Sequence, residues 1–251
     1  MNKLKEIFYA LAAVVLLVAC EPVENSYVVD GNILDIYTVN SGMTITQEFD
    51  DSLLSVGNIG NFDLQAGDRV CLYLYYHYDL YNIKNNRFGI VDVVDKIPTL
   101  SIAQRESVDT AGYDMLLGST NYLMYNVGNK SYFLPKAYNI WIWDNRLNVI
   151  ASFPSKPQNT DFVMSLRSVK NDTVNFNLLG KTTAPLDTVC TKLLSYDLKN
   201  FKTLLTDDEK AQLRTHEKLK FQIYMKNKNS KDSLIEQCWG VMHGEFVNPL
   251  F

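Results

Sequence analysis

From Tyr27 onward, apolar and polar residues alternate with a period of two over short stretches separated by turn-forming residues. That period puts successive side chains on opposite faces of a β-strand. Asp30-Gly31 and Ser41-Gly42 are turn signals, and a strand is expected over 33–39 between them. Ala66-Gly67-Asp68 precedes the clearest alternation in the chain. Val70, Leu72, Leu74, Tyr76 and Tyr78 share one face, and Arg69, Cys71, Tyr73, Tyr75, His77 and Asp79 the other. Lys84 to Arg87 reads as a hairpin loop, with 88–94 as the returning strand. Residues 103–120 are more polar and less periodic, as in a connection between domains. Strands resume at 122–127, 132–134, 138–143, 147–153, 162–166, 174–179, 189–196, 218–225 and 233–239, at the close spacing of a β-sandwich. One helix interrupts the series: Thr206-Asp207-Asp208-Glu209 has the form of a capping box, and the helix should end near His216.

The expected fold is all-β, with one short helix. An OB-like β-barrel over 27–112 has the strand number and size of a small closed barrel. An immunoglobulin-like β-sandwich follows over 113–251. The 12% of aromatic residues fit a sheet-rich core, and the 47% of hydrophobic residues exclude an intrinsically disordered chain.

The alternation does not extend to the first residues. Lys3 and Lys5 precede 13 uninterrupted apolar residues, Ile7 to Ala19. A membrane-spanning helix needs about 20, whereas this length suits the centre of an export signal. The run ends in Leu17-Val18-Ala19-Cys20, which resembles a bacterial lipobox. Residues 1–19 are accordingly expected to be a lipoprotein signal peptide, Cys20 the lipidated first residue, and 20–26 a polar tether. Each buried methylene adds about 0.8 kcal/mol, so two or three acyl chains hold a protein firmly. The expected location is the cell envelope, lipid-anchored at the outer membrane, with the periplasmic or surface face left open. Removal of Lys3, Lys5 and Glu6 with the leader leaves 232 residues with 22 basic and 27 acidic side chains, net −5. An acidic chain without a basic stripe argues against nucleic acid as a partner.

Together with the leader, Leu64-Gln65-Ala66-Gly67-Asp68-Arg69-Val70, Ile140-Trp141-Ile142-Trp143, Leu147-Asn148-Val149-Ile150 and 162–167 resemble the NigD-like lipoproteins of Bacteroidota. The resemblance implies an N-terminal OB-like domain and a C-terminal β-sandwich behind a lipobox leader, with no catalytic residues to carry over. The family's name comes from a bacteriocin gene cluster. That implies an accessory subunit of a secretion or immunity system as one reading. The chain departs from the family in lacking a histidine near 159–166 and in its helix around 206–216.

Motifs for chemistry are sparse. His216-Glu217 opens like a zinc-protease helix, but Lys220 stands where the second histidine belongs. His77, His216 and His243 share no ligand spacing, and no cofactor, metal or catalytic motif is found. Asp50-Asp51 lacks the alternation of a calcium loop. Of the cysteines beyond Cys20, Cys71, Cys190 and Cys238 read as buried small hydrophobes, and a single disulfide among them stays open. The best candidates for a ligand platform are aromatic: Tyr73, Tyr75 and His77 on one strand face, with Trp141 and Trp143. Such rings present large area at low entropic cost, and OB-folds bind oligosaccharides across a strand face. Five triplets of Asp, Ser or Thr, and an aliphatic residue, where composition gives roughly one, are similar to the O-glycosylation signal of exported Bacteroidota proteins. They mark Ser52, Thr110, Thr173, Thr188 and Ser233. The expected function is non-catalytic binding of a protein or glycan partner in the envelope, with the membrane reached through the N-terminal lipid. The alternative is an envelope hydrolase with an unrecognised carboxylate pair.

Overall fold

A computed structural model describes residues 28–79, 84, 86–103, 118–119, 124–127, 130–133, 139–155, 160–183, 185–228, 234–241 and 244–250. The signal segment, Cys20, the tether, Thr110, Ser233 and the 112/113 boundary lie outside them. The N-terminal sheet has the order β3-β2-β1-β4-β5, with β1 Val28–Val39, β2 Thr44–Gln47, β3 Leu53–Ser55, β4 Arg69–Asp79 and β5 Arg87–Lys96. Its neighbouring strands are antiparallel. A parallel bridge from Val56 to Phe88 joins the β3 edge to β5, curling the sheet into an OB-like barrel. The alternation of β4 works as read: Val70, Leu72 and Leu74 point inward onto Tyr37, Ile45 and Val56. Each such apolar side chain contributes about 1.5–3 kcal/mol on burial.

Asp30-Gly31 is not a turn. β1 runs through it, with Gly31 opposite Tyr76 of β4. A Cβ on Gly31 would lie 2.6 Å from the Tyr76 hydroxyl, so the glycine makes room for a cross-strand ring. The turn at Gly42 is real, with φ +80 at Gly42 and φ 61 at Met43.

The second unit is a sandwich of two sheets. One has the order β10-β11-β14-β6 (β6 Thr99–Leu100, β10 Ile140–Trp143, β11 Arg146–Ser155, β14 Pro185–Asp197), with β7 Gly118–Ser119 also on β11. The other has the order β12-β13-β15-β16 (β12 Thr160–Lys170, β13 Thr173–Thr182, β15 Lys218–Lys228, β16 Leu234–Gly240), with β17 Phe246–Val247 on β15. A short hairpin of β8 Met124–Val127 and β9 Lys130–Phe133 forms a separate two-stranded sheet. Between the sheets lie Leu147, Val149, Phe153, Leu166, Phe176 and Phe221. The helix, α1 Asp207–Leu213, begins with the expected capping box at Thr206 and Glu209 and buries Leu213 in the same core. It stops at Leu213, one turn short of His216.

The sheet containing β10 is buried on both faces. Ile140, Ile142, Leu147 and Val149 face the other sheet, while Trp141, Ile150 and Leu193 face Leu34, Ile36 and Tyr73 of the barrel. A strand covered on both sides needs apolar residues at every position, which is the physical origin of the run Ile140-Trp141-Ile142-Trp143.

Candidate functional site

The two units meet across a buried seam with a charged centre. Arg69 opens β4 immediately after the Gly67 turn (φ +96), and Glu48 follows β2. The Arg69 guanidinium donates to both Glu48 oxygens, from Nε at 2.8 Å and Nη2 at 2.6 Å. Both side chains are 1% exposed. The sandwich supplies the remaining partners: Trp141 Nε1 donates to Glu48 Oε1 at 2.8 Å, and Arg69 Nη1 donates to Asn148 Oδ1 at 2.9 Å. Trp141 and Asn148 sit opposite each other in the β10–β11 ladder, so one cross-strand pair serves both charged partners. Around this centre, burial pushes the Cys71 thiol far above its ordinary range, making it an inert packing group.

At one edge of the seam the units part into an open cleft of about 430 Å³ lined by Thr38, Asn40, Thr46 and Asp51 of the barrel and Trp143 and Asp144 of the sandwich. Asn40 Nδ2 donates to Thr46 Oγ1 at 2.9 Å, and Arg146 Nη1 donates to Asp144 Oδ2 at 2.7 Å. Trp143 is half-buried and packs at 6.0 Å on Phe49, which also packs on Trp141 at 5.6 Å. Phe49 and Asp51 have φ of 75 and 52, a region costly for residues other than glycine. Asp144 and Asn145, with φ of 44 and 54, form the tight β10–β11 turn.

The aromatic platform expected from the sequence divides into three. Tyr73 and Trp141 are buried in the seam, which corrects their reading as exposed recognition surface: the sandwich covers the outer face of the barrel at that point. Trp143 lines the cleft. Tyr75 and His77 extend past the sandwich and meet Asp30, with Tyr75 donating its hydroxyl at 2.9 Å and His77 Nδ1 lying at 2.6 Å from the same carboxylate oxygen. Those hydrogen bonds from His77 and Tyr75 hold the Asp30 carboxyl below its usual range, and Asp30 in turn raises the Tyr75 hydroxyl.

Of the residues marked for glycosylation, Ser52 is half-buried just before β3, and Thr188 lies within β14. Thr173 opens β13 and is half-buried, its hydroxyl donating to Asp172 at 2.9 Å. Cys71 is buried and Cys190 half-buried, but Cys238 is exposed, because the period of two along β16 turns it outward with Glu236 and Gly240. Among the described residues no group of three His, Cys, Asp or Glu is placed to hold a metal, and no helix is long and apolar enough to cross a membrane.

Glu48, Asn148, Thr38, Asn40 and Thr46 carry no sequence signal of their own. Arg69 does carry one, as the single Lys or Arg on a strand face otherwise made of Cys71, Tyr73, Tyr75, His77 and Asp79.

No protein-family model and no curated protein matches the sequence significantly. Solved structures match it over most of its length. A NigD-like immunity protein from Bacteroides caccae superposes with a TM-score of 0.53 at 15% identity, over 86% of this chain and 97% of its own. A candidate lipoprotein from Bacteroides fragilis gives 0.54 at 12% identity, over 84% and 97%. A candidate toxin-related protein from Parabacteroides distasonis gives 0.51 at 16%, over 88% and 96%. None of the three carries the name of an enzyme. At these identities the likeness is one of fold, and at that level the resemblance to the NigD-like proteins holds.

Proposed function

We propose that this chain is a non-catalytic binding module of the bacterial envelope, tethered by lipid on Cys20 and presenting the cleft between its two β units to a protein or glycan partner. The observation that carries the reading is the cleft itself: an indole and hydrogen-bonding side chains, contributed by both units and set beside a fully buried seam. Recognition sites combine a fixed apolar surface with a few oriented polar groups. The lipobox supports the tether, as does the shared fold with a candidate lipoprotein.

The cleft also contains two carboxylates, Asp51 and Asp144, the minimum for the hydrolase alternative. A general acid at neutral pH needs burial to keep its proton. Both aspartates are exposed, and Asp144 is already paired with Arg146, so the geometry favours binding over catalysis. The name of the Bacteroides caccae protein favours a second reading, in which the partner belongs to a bacteriocin secretion or immunity system.

Three experiments test the reading. Cys20→Ala should move the protein from the membrane to the soluble fraction, and retention in the membrane would remove the tether. Crosslinking from position 40 in native envelopes, followed by mass spectrometry, should yield a defined adduct; none would count against the cleft as the binding site. Glycans on Thr173 or Ser233 belong to the same proposal, and an intact mass equal to that of the bare lipidated chain rules them out.

A further inference from the structure

Resting on the reading of the chain as a binding module, we propose that the ligand of the junction cleft is a neutral saccharide, one or two sugar rings stacked on Trp143. The volume of about 430 Å³ lies within the range of about 300–1,000 Å³ that holds small ligands.

The chemistry of the wall selects the class. Among the described residues no basic side chain lines the cleft, and its two carboxylates disfavour an anion. Arg146 neutralises Asp144 at 2.7 Å, which weakens the attraction for a strongly cationic ligand. What remains is a set of neutral groups that both donate and accept: Thr38, Asn40 and Thr46, with Asn40 and Thr46 joined to each other at 2.9 Å. Sugar hydroxyls both donate and accept, so they match such a wall, as a hydrocarbon or a simple ion does not.

Trp143 supplies the apolar half of the site. A pyranose has a face of C–H bonds as well as a rim of hydroxyls, and that face is complementary to the electron-rich face of an indole. The ring is held in advance, since Phe49 packs beneath it and is itself packed on the buried Trp141. Preorganisation of this kind lowers the entropic cost of binding. The left-handed backbone at Phe49 and Asp51 gives the stack its support and brings the Asp51 carboxylate to the rim. Unfavourable conformations of about 1–3 kcal/mol each persist where the surrounding structure enforces them, commonly at ligand clamps.

The test is calorimetric and fluorescence titration of the purified protein with mannotriose, cellotriose and chitotriose, and with trilysine as the cationic control. At least one sugar should bind in the millimolar range or tighter and perturb the tryptophan emission. Trp143→Ala should weaken that binding about tenfold or more, the loss of a stacked ring. Asn40→Ala, which leaves the aromatic stack in place, should weaken it with an unchanged unfolding midpoint. Three results overturn the saccharide: no sugar binds, trilysine binds instead, or binding survives both substitutions. A protein adduct crosslinked at position 40 without sugar binding would defeat the saccharide and keep the binding module. Release of shorter sugars during the titration would keep the saccharide and defeat the non-catalytic reading.

Discussion

One face of β4 meets two different fates. At its first half, Arg69, Cys71 and Tyr73 lie under the sandwich; at its second half, Tyr75 is exposed and His77 half-buried. Each half contains a carboxylate joined to side chains of β4 at about the same distance: Glu48 to Arg69 at 2.6 Å, and Asp30 to His77 at 2.6 Å. Distance therefore does not distinguish them. Surroundings do. Glu48 is closed off from solvent at 1% exposure, so its donors come from the protein; around Asp30, 55% exposed, solvent competes for each bond. The comparison teaches that a short ion pair holds this molecule together only where a second layer of structure has closed over it.

Removing one buried charge should have the largest effect. Arg69→Ala leaves Glu48 desolvated, with the Trp141 indole as its remaining contact among those described above, at a cost of about 3–5 kcal/mol. A denaturant midpoint that moves by less than the equivalent of about 1 kcal/mol would mean the seam admits water. Replacing Arg69 and Glu48 together by Met and Leu should cost less than the two single changes added, because neither charge is then stranded.

Next in size is the seam's indole. Trp141→Phe keeps most of the ring but withdraws a donor from a buried carboxylate, for about 1–3 kcal/mol of destabilisation in the same measurement. A neutral outcome would make the Arg69 bonds sufficient for Glu48.

Buried polar groups without partners sharpen the contrast. The Tyr196 hydroxyl is fully buried and has no hydrogen-bond partner among the described residues. Tyr196→Phe should be neutral or stabilising by up to about 1 kcal/mol, and a clear loss of stability would reveal a partner for that hydroxyl.

The smallest effect belongs to the exposed half. Asp30→Asn should leave the unfolding midpoint unmoved at pH 7. The carboxyl itself still reports its contacts: in an NMR titration Asp30 should ionise below the ordinary aspartate range, and His77→Ala should bring it back up. Because its folded value is depressed, whatever Asp30 contributes is present above the unfolded value and fades as the pH falls through the folded one. A titration at the ordinary value would dissolve the cluster.

Much of this was legible in the residues. The alternation along Val70 to Tyr78, the turn at Gly42, the strands around 147–153 and 174–179, and the Thr206 capping box all follow from local periodicity and local hydrogen bonding. Those forces act between residues near in sequence, and the structure reproduces them. The turn expected at Asp30-Gly31 failed because a longer-range fact, the Tyr76 ring above Gly31, gave the glycine another use.

The amino-acid sequence thus determined which residues share a face and where strands end, since a period of two and a tight turn are properties of a few consecutive residues. Which faces stay wet was decided only when the barrel and the sandwich met. Tyr73 and Trp141 were equally fit for a surface or a core, and Glu48 becomes a structural anion only beside Arg69, Trp141 and Asn148, which lie 21, 93 and 100 positions further along the chain. Burial is a property of two surfaces together, and a pattern along one chain segment describes only one of them.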